Sequence, residues 1–359
     1  MQFKEDENVK DFLAELIEIP GGSGYEEQAA ELIAKEFSRL CDQVHTDSFY
    51  NVYGIKRGSV SLESGERPKV MLAAHMDEIA LMVKDIDEKG FLRFTSIGGV
   101  DQRILLAQEV TVHGREKLYG IVSTVPPHLQ DAGEAQKVIK MKDMCIDVGL
   151  PPDRVKKLVR VGDLITFRSP LATMQGSMVN GKSIDDRASV VMLAEVMREL
   201  DRLQYAAEVY CVATVQEEVG TRGAVISTYK VQPDIGIAID VTHGETPDAP
   251  KEDTYAMDKG IAICKGPNMH PGLTEKLIET AREYGIEYQI SVAPGPTGTD
   301  ARSMQISRSG VPTVLLELPL RYMHTTVETL NLDHIKSGAR LLALFIASLK
   351  EGWQEWLKY

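Results

Sequence analysis

Hydrophobic and polar positions follow two rhythms along this chain. Residues 8–19 put Val9, Phe12, Leu13, Leu16 and Ile17 on one helical face, and residues 25–40 repeat the pattern with Ala29, Leu32, Ile33, Phe37 and Leu40. "PGGSG" between them reads as a loop. "VMLAAH", residues 70–75, is a short apolar strand of the fully buried kind. From 184 onward strands and helices alternate. Helical stripes are expected over 186–202, over "GLTEKLIETAREYG" and over 331–350, and strands over "AEVYCVATV", "PDIGIAID", "IEYQISV" and "VPTVLLELP".

Between about Ile79 and Thr173 the texture changes. "FLRFTSIGG", "EVTVHG", "LYGIVSTV" and "GDLITF" are short strands separated by turn signals, with helical pieces expected near 134–144 and 151–158. The alternating part predicts an α/β fold with a mixed sheet covered by helices. The middle part predicts a small β-rich unit inserted into it. The expected division is residues 1–78 with 174–359 as one domain and 79–173 as the other.

Composition narrows the partners. Of the 359 residues, 43% are hydrophobic, enough for at least one sizeable core, and the net charge is −13. That balance argues against nucleic acid, whose phosphates need a basic face, and against an anionic membrane surface. No apolar run approaches the ~20 residues of a membrane span. The start "MQFKEDENVK" is polar and acidic, unlike a signal peptide. Cys41, Cys145, Cys211 and Cys264 form no CxxC pair, and read as reduced thiols in a cytoplasmic protein.

Candidate chemistry gathers at strand ends. His75 and Asp77 leave one strand, Glu217 and Glu218 another, Asp240 a third, His324 a fourth, and Asp185 and Asp186 open a helix. Ligands of open α/β sheets bind beyond the carboxyl ends of the strands. Singly, each group has an ordinary reading: Asp185–Asp186 as a helix cap, His75 as a hydrogen-bonded structural histidine, Glu217–Glu218 as a solvated strand exit. Together, two histidines and several carboxylates suit a divalent transition metal such as zinc or cobalt, and they exceed what one ion needs, so a two-metal site is expected. Adjacent residues leaving a strand point apart, so one glutamate of 217–218 can bind metal while the other acts as general base. Asp77, two residues beyond His75 on an extended chain, can accept the ring's second N–H. His45, His113, His270 and His334 have no such context and are read as structural, while His128 and His243 stay open between a structural role, which is preferred, and the site. "GPTGTD", 295–300, lacks the lysine of a phosphate loop.

The ordered motifs "AAHMDEIALMV", "SIDDRA", "VATVQEEVGTRGA", "AIDVTH", "GTDA" and "RYMHT" resemble the M42 family of metallo-aminopeptidases, a group of glutamyl, tetrahedral and endoglucanase-like members, and the resemblance runs nearly end to end. It implies a zinc-peptidase α/β domain with an inserted PDZ-like β-barrel for dimerisation. It also implies one metal on His75 and Asp240, a second on Glu218 and His324, and Asp185 bridging both. Glu217 would be the general base, with Asp77 orienting His75. Short peptides would be the substrates, and dodecamers built from dimers the assembly. Pro296, Thr297 and Arg302 depart from the small residues common before and within the "TDA" loop, which leaves the preferred first residue open. Competing readings are a deacylase or carboxypeptidase on the same two-metal site and a non-catalytic metal-binding scaffold; the intact Glu217 speaks against the scaffold. A glycosidase is weaker, because it needs two carboxylic acids free of metal.

Overall fold

The computed structural model describes residues 2–129 and 137–358. The fold is mixed α/β. Eleven strands form one sheet, and a separate set of six closes into a barrel. At the centre of the sheet lie four parallel neighbours, in the order Glu208–Thr214, Lys69–His75, Ile235–His243 and Thr313–Arg321. Their apolar runs are buried because helices cover both faces. On one face Val70, Leu72, Ile237, Ile239, Leu316 and Leu318 pack under the helices Ile184–Leu200 and Leu332–Ala347. On the other, Met71, Ala73, Val212, Ala238 and Leu315 meet Ala224 of the helix Arg222–Val231 and Met304 of the helix Asp300–Gln305. That two-sided burial explains why these strands read as continuous apolar runs and do not alternate.

The barrel runs in the closed order Ala80–Ile86, Leu92–Ile97, Cys145–Asp147, Lys117–Ser123, Glu109–His113 and Leu164–Phe167, every pairing antiparallel. Its core of Leu81, Val83, Leu92, Val110, Val112, Ile146 and Ile165 is separate from those of the sheet. Closure removes the exposed strand edges that so short a set would otherwise present.

Several expectations shift. The helix expected at 186–202 spans Ile184–Leu200, but Asp185 and Asp186 have non-helical backbone angles and stand ahead of its regular part. The piece expected near 134–144 is a single 3-10 turn at Met141–Asp143, and its first part lies outside the described residues. The strand ending at Asp240 continues to His243. Cys211 is fully buried, as its strand position implies, and all four cysteines are free. Among the described residues no helix is long and apolar enough to cross a membrane.

Candidate active site

Parallel alignment brings the carboxyl ends of the four central strands to one edge. His75 is level with Thr214, so the turn that follows Thr214 delivers Glu217 and Glu218 beside the imidazole. Asp240 is level with Glu317 on the next strand. His75, Asp185, Glu217, Glu218, Asp240 and His324 line one cavity of about 800 Å³, which the 297–303 segment also borders.

Asp185 is the centre of the cluster. One carboxylate oxygen lies 3.2 Å from Nε2 of His75, and the other lies 3.2 Å from Nε2 of His324. The same His324 nitrogen is 3.2 Å from Oε1 of Glu218. Glu217 Oε2 is 3.9 Å from His75 Nε2. Asp240 and Asp186 offer carboxylate oxygens within 4.8 Å of His75, and His75, Asp185 and Glu218 form a second such group. All seven residues singled out in the sequence therefore meet in one place. Asp186, the runner-up to Asp185, lies beside them.

The supporting contacts differ from expectation. His75 Nδ1 is nearest the backbone oxygen of Asp77, at 3.1 Å, with the Asp77 carboxylate at 3.5 Å. That carboxylate is engaged chiefly elsewhere: it accepts from Ser23 Oγ at 2.6 Å and from the backbone N–H groups of Glu217 and Glu218 at 3.0 and 3.2 Å. Asp77 thus fixes both the histidine and the two-glutamate turn. Gln216, at φ +55°, bends the chain there, and its N–H donates to Glu26. Glu328 was not anticipated. Buried, it accepts from the N–H of Asp185 at 3.0 Å and from the N–H of His324 at 2.9 Å, so one side chain anchors the backbone of two cluster members. Nδ1 of His324 lies 3.1 Å from the carbonyl of Gly99, in the barrel. Lys182 and Arg187 flank Glu78 at 2.6 and 3.6 Å beneath the site. Ser23, Glu26 and Gly99 are dozens to hundreds of residues from the groups they support, Glu328 is 143 residues from Asp185 but four from His324, and none carries a motif of its own. His243, for which a structural role is preferred on sequence, lines the cavity as an exposed side chain.

The electrostatics describe a site short of positive charge. Hydrogen bonds donated to the carboxylates of Asp185 and Glu218 hold the His324 imidazole up at about 11. Burial pushes His75 down, but its bonds to Asp185 and Asp77 overcome that and hold it well above its ordinary value. Burial, together with the negative neighbours Asp240, Asp300 and Asp77, pushes Glu217 up to about 10 despite His75. Asp186 is raised by burial and by the charges of Asp240 and Asp185, and Asp240 by burial and by those of Asp185 and Asp300. Asp185 is depressed, because its contacts to His324 and His75 outweigh its burial, and Asp77 is lowered likewise, its contacts to His75 and Ser23 outweighing burial. A buried cluster in which most carboxyls and both imidazoles tend to hold protons is what a donor set for divalent cations looks like when protons supply the balancing charge. The oxygen Oδ1 of Asp186, buried without a hydrogen-bond partner, points the same way. The donor set, imidazole nitrogen and carboxylate oxygen, fits zinc-like ions.

A parallel-centred α/β sheet with a carboxylate–histidine cluster at its strand ends, and a closed barrel beside it, defines a two-part α/β protein with a centre suited to metal ions. The family can be named. The M42 glutamyl aminopeptidase model matches residues 58–341, and this chain belongs to that family, which makes it a peptidase of the aminopeptidase type. It is 34% identical over 345 residues to the lysyl aminopeptidase of Pyrococcus furiosus, covering 95% of this chain and 97% of that one. A TET aminopeptidase from a marine-sediment Thaumarchaeota archaeon superposes with a TM-score of 0.91 at 30% identity, covering 98% and 99% of the two chains. The Pyrococcus horikoshii TET1 peptidase, described as assembling into a tetrahedron or a large octahedral shell, superposes with a TM-score of 0.82 at 30% identity over 95% and 100%.

Proposed function

We propose that this protein releases N-terminal residues from short peptides, using two divalent ions held by His75, Asp185, Glu218, Asp240 and His324, with Glu217 as general base. Asp185 would be shared between the two, with His75 and Asp240 holding one ion and Glu218 and His324 the other. The observation that carries this reading is the division between the two glutamates. Glu218 is bonded into the Asp185–His324 pair, whereas Glu217 stands 3.9 Å from His75 and belongs to neither donor group.

When bound, such ions polarise the scissile carbonyl and lower the pKa of water to about 7. Glu217 Oε takes the proton from the attacking water and returns it to the leaving amine. Asp77 holds the backbone of Glu217, so that its carboxylate stays aimed. The α-amine of the substrate is recognised among the carboxylates of the cluster. A homo-oligomer, with dodecamers built from barrel-mediated dimers as the specific form, is part of the proposal. The assembling TET1 relative and the exposed apolar residues of the barrel, Tyr119, Ile121 and Val161, support it.

The test is amino-acid release by the metal-loaded protein from matched free and N-acetylated short peptides, with Glu217→Gln as control. Release from free peptides alone, with a loss of about 10²–10⁴-fold in the variant at unchanged metal content, is the expected result. Cleavage of acetylated peptides equally well, or a fully active variant, overturns it.

A further inference from the structure

Glu317 is a carboxylate that the mechanism does not use. It sits one strand over from Asp240, level with it and on the same sheet face, which places it about 4.8 Å further along the sheet. It lines the same cavity, yet it is 92% shielded by its surroundings, with 8% of its surface exposed. Neither metal-donor group includes it. Its Oε2 accepts a hydrogen bond from Ser291 Oγ, on the edge strand Tyr288–Val292, and among the described residues no lysine, arginine or histidine pairs with it. Burial raises its carboxyl to about 7, and the Ser291 bond is the one influence recorded against that.

A buried acid without a cation is costly unless something supplies the charge. Here the open side is the cavity. Outside the His75–His324 cluster, the lining of this cavity holds one carboxylate, Glu317, and one exposed guanidinium, Arg302, while Thr297, Thr299 and Ser303 are neutral. Glu317 is thus the one acidic group of the lining that the cluster does not claim, and it is pre-oriented by Ser291 in a buried setting where a charge pair is strong.

We propose that Glu317 is a specificity residue that receives the side-chain ammonium of an N-terminal lysine, so that the substrates are peptides beginning with a basic residue. This rests on the aminopeptidase reading above and adds to it the identity of the first residue. The family description names glutamyl substrates and one relative's name lysyl ones, so the names alone do not decide. The buried carboxylate does.

The experiment compares lysyl, norleucyl, leucyl and glutamyl p-nitroanilides on the metal-loaded full chain and on Glu317→Gln, with melting temperature and metal content measured for both. Norleucine matches the lysine stem and lacks its ammonium. In the wild type, kcat/KM for lysyl should exceed that for norleucyl by about 30-fold or more, as expected when a buried charge must find its partner. In Glu317→Gln that ratio should fall to within about threefold of unity, with norleucyl hydrolysis nearly unchanged. Should Glu317→Gln not fold, Glu317→Asp keeps the charge and should keep a lysyl preference. Free lysine should also raise the melting temperature of the wild type more than norleucine does. A wild type that treats lysyl and norleucyl alike, or prefers glutamyl, overturns the proposal. So does a variant that loses both in equal measure, because the carboxylate then grips the common α-amine or only supports the fold. In each of these cases leucyl and norleucyl hydrolysis persists in the wild type, and the aminopeptidase reading survives. If no free-amine substrate is cut at all, both fall together.

Discussion

At the scale of single residues, Asp77 shows what spacing can and cannot reveal. Its place two residues after His75 makes it a partner of the imidazole, and it lies at that ring. The larger share of its bonding, to Ser23 and to the amides of Glu217 and Glu218, comes from chain segments 54 and about 140 residues away. Nothing local announces those contacts. Glu328 is an ordinary glutamate in sequence; one oxygen anchors His324, four residues away, and the other anchors Asp185, 143 residues away. The cluster itself was legible because its members sit at the ends of recognisable strands; its scaffolding was not, because hydrogen bonds across the fold leave no periodicity. The consequence for Asp77→Ala is specific. Removing an acceptor that positions donor residues should lower metal affinity by about 10–100-fold, read by competition with a calibrated chelator. Glu217→Gln should leave that affinity close to wild type.

At the scale of elements, long apolar patterns were readable and short ones were not. The helix Leu332–Ala347 stands close to its expected position because its stripe of Leu332, Ile335, Ala339, Leu342 and Ile346 repeats at helical spacing. The strands Gln43–Thr46, Met178–Gly181 and Glu328–Asn331, each four residues long, carry too few positions to establish an alternation. The helix Arg222–Val231 was missed for another reason: its run is rich in β-branched residues, which favour strands. Within Leu332–Ala347, His334 was read as structural, and it is buried with neither ring nitrogen hydrogen-bonded. Burial drives its pKa down to about 4, against the weaker upward pull of Asp333 and Asp258. The folded state therefore binds that proton less readily than the unfolded chain, whose value is 6.5. Its contribution is complete above the unfolded value and is lost as pH falls from 6.5 toward 4. Between pH 7 and 5 the wild type should lose about 2 kcal/mol relative to His334→Leu, measured from denaturant midpoints. A constant difference across that range would contradict the assignment.

At the scale of the whole molecule, the change in texture between Ile79 and Thr173 revealed an inserted β-rich unit, but its closure into a six-stranded barrel depends on pairings between distant strands. Nor could the sequence show how the barrel reaches the cluster. The segment after its strand Leu92–Ile97 carries Gly98 at φ +76° and then Gly99. A Cβ at Gly98 would lie 3.3 Å from the Glu218 carboxylate, and one at Gly99 would lie 2.8 Å from His324 Nδ1. Both glycines are needed for close approach, and the first also for its backbone angle. Gly99→Ala should push the His324 ring from its place and lower kcat/KM by about 100-fold, the order expected when a reacting geometry shifts by an ångström. The melting temperature should change little, because the barrel core does not include this loop.

That glycine pair also decides which parts of the protein can be exchanged. The Gly99 carbonyl accepts from His324 Nδ1, so the tautomer of an imidazole on the sheet is written by the backbone of the barrel. The barrel is therefore not a cassette that can be cut out or swapped for a similar one while the chemistry stays behind. A transplanted barrel would have to bring its own pair of glycines to the same spot, or the sheet would inherit a histidine with the wrong nitrogen protonated.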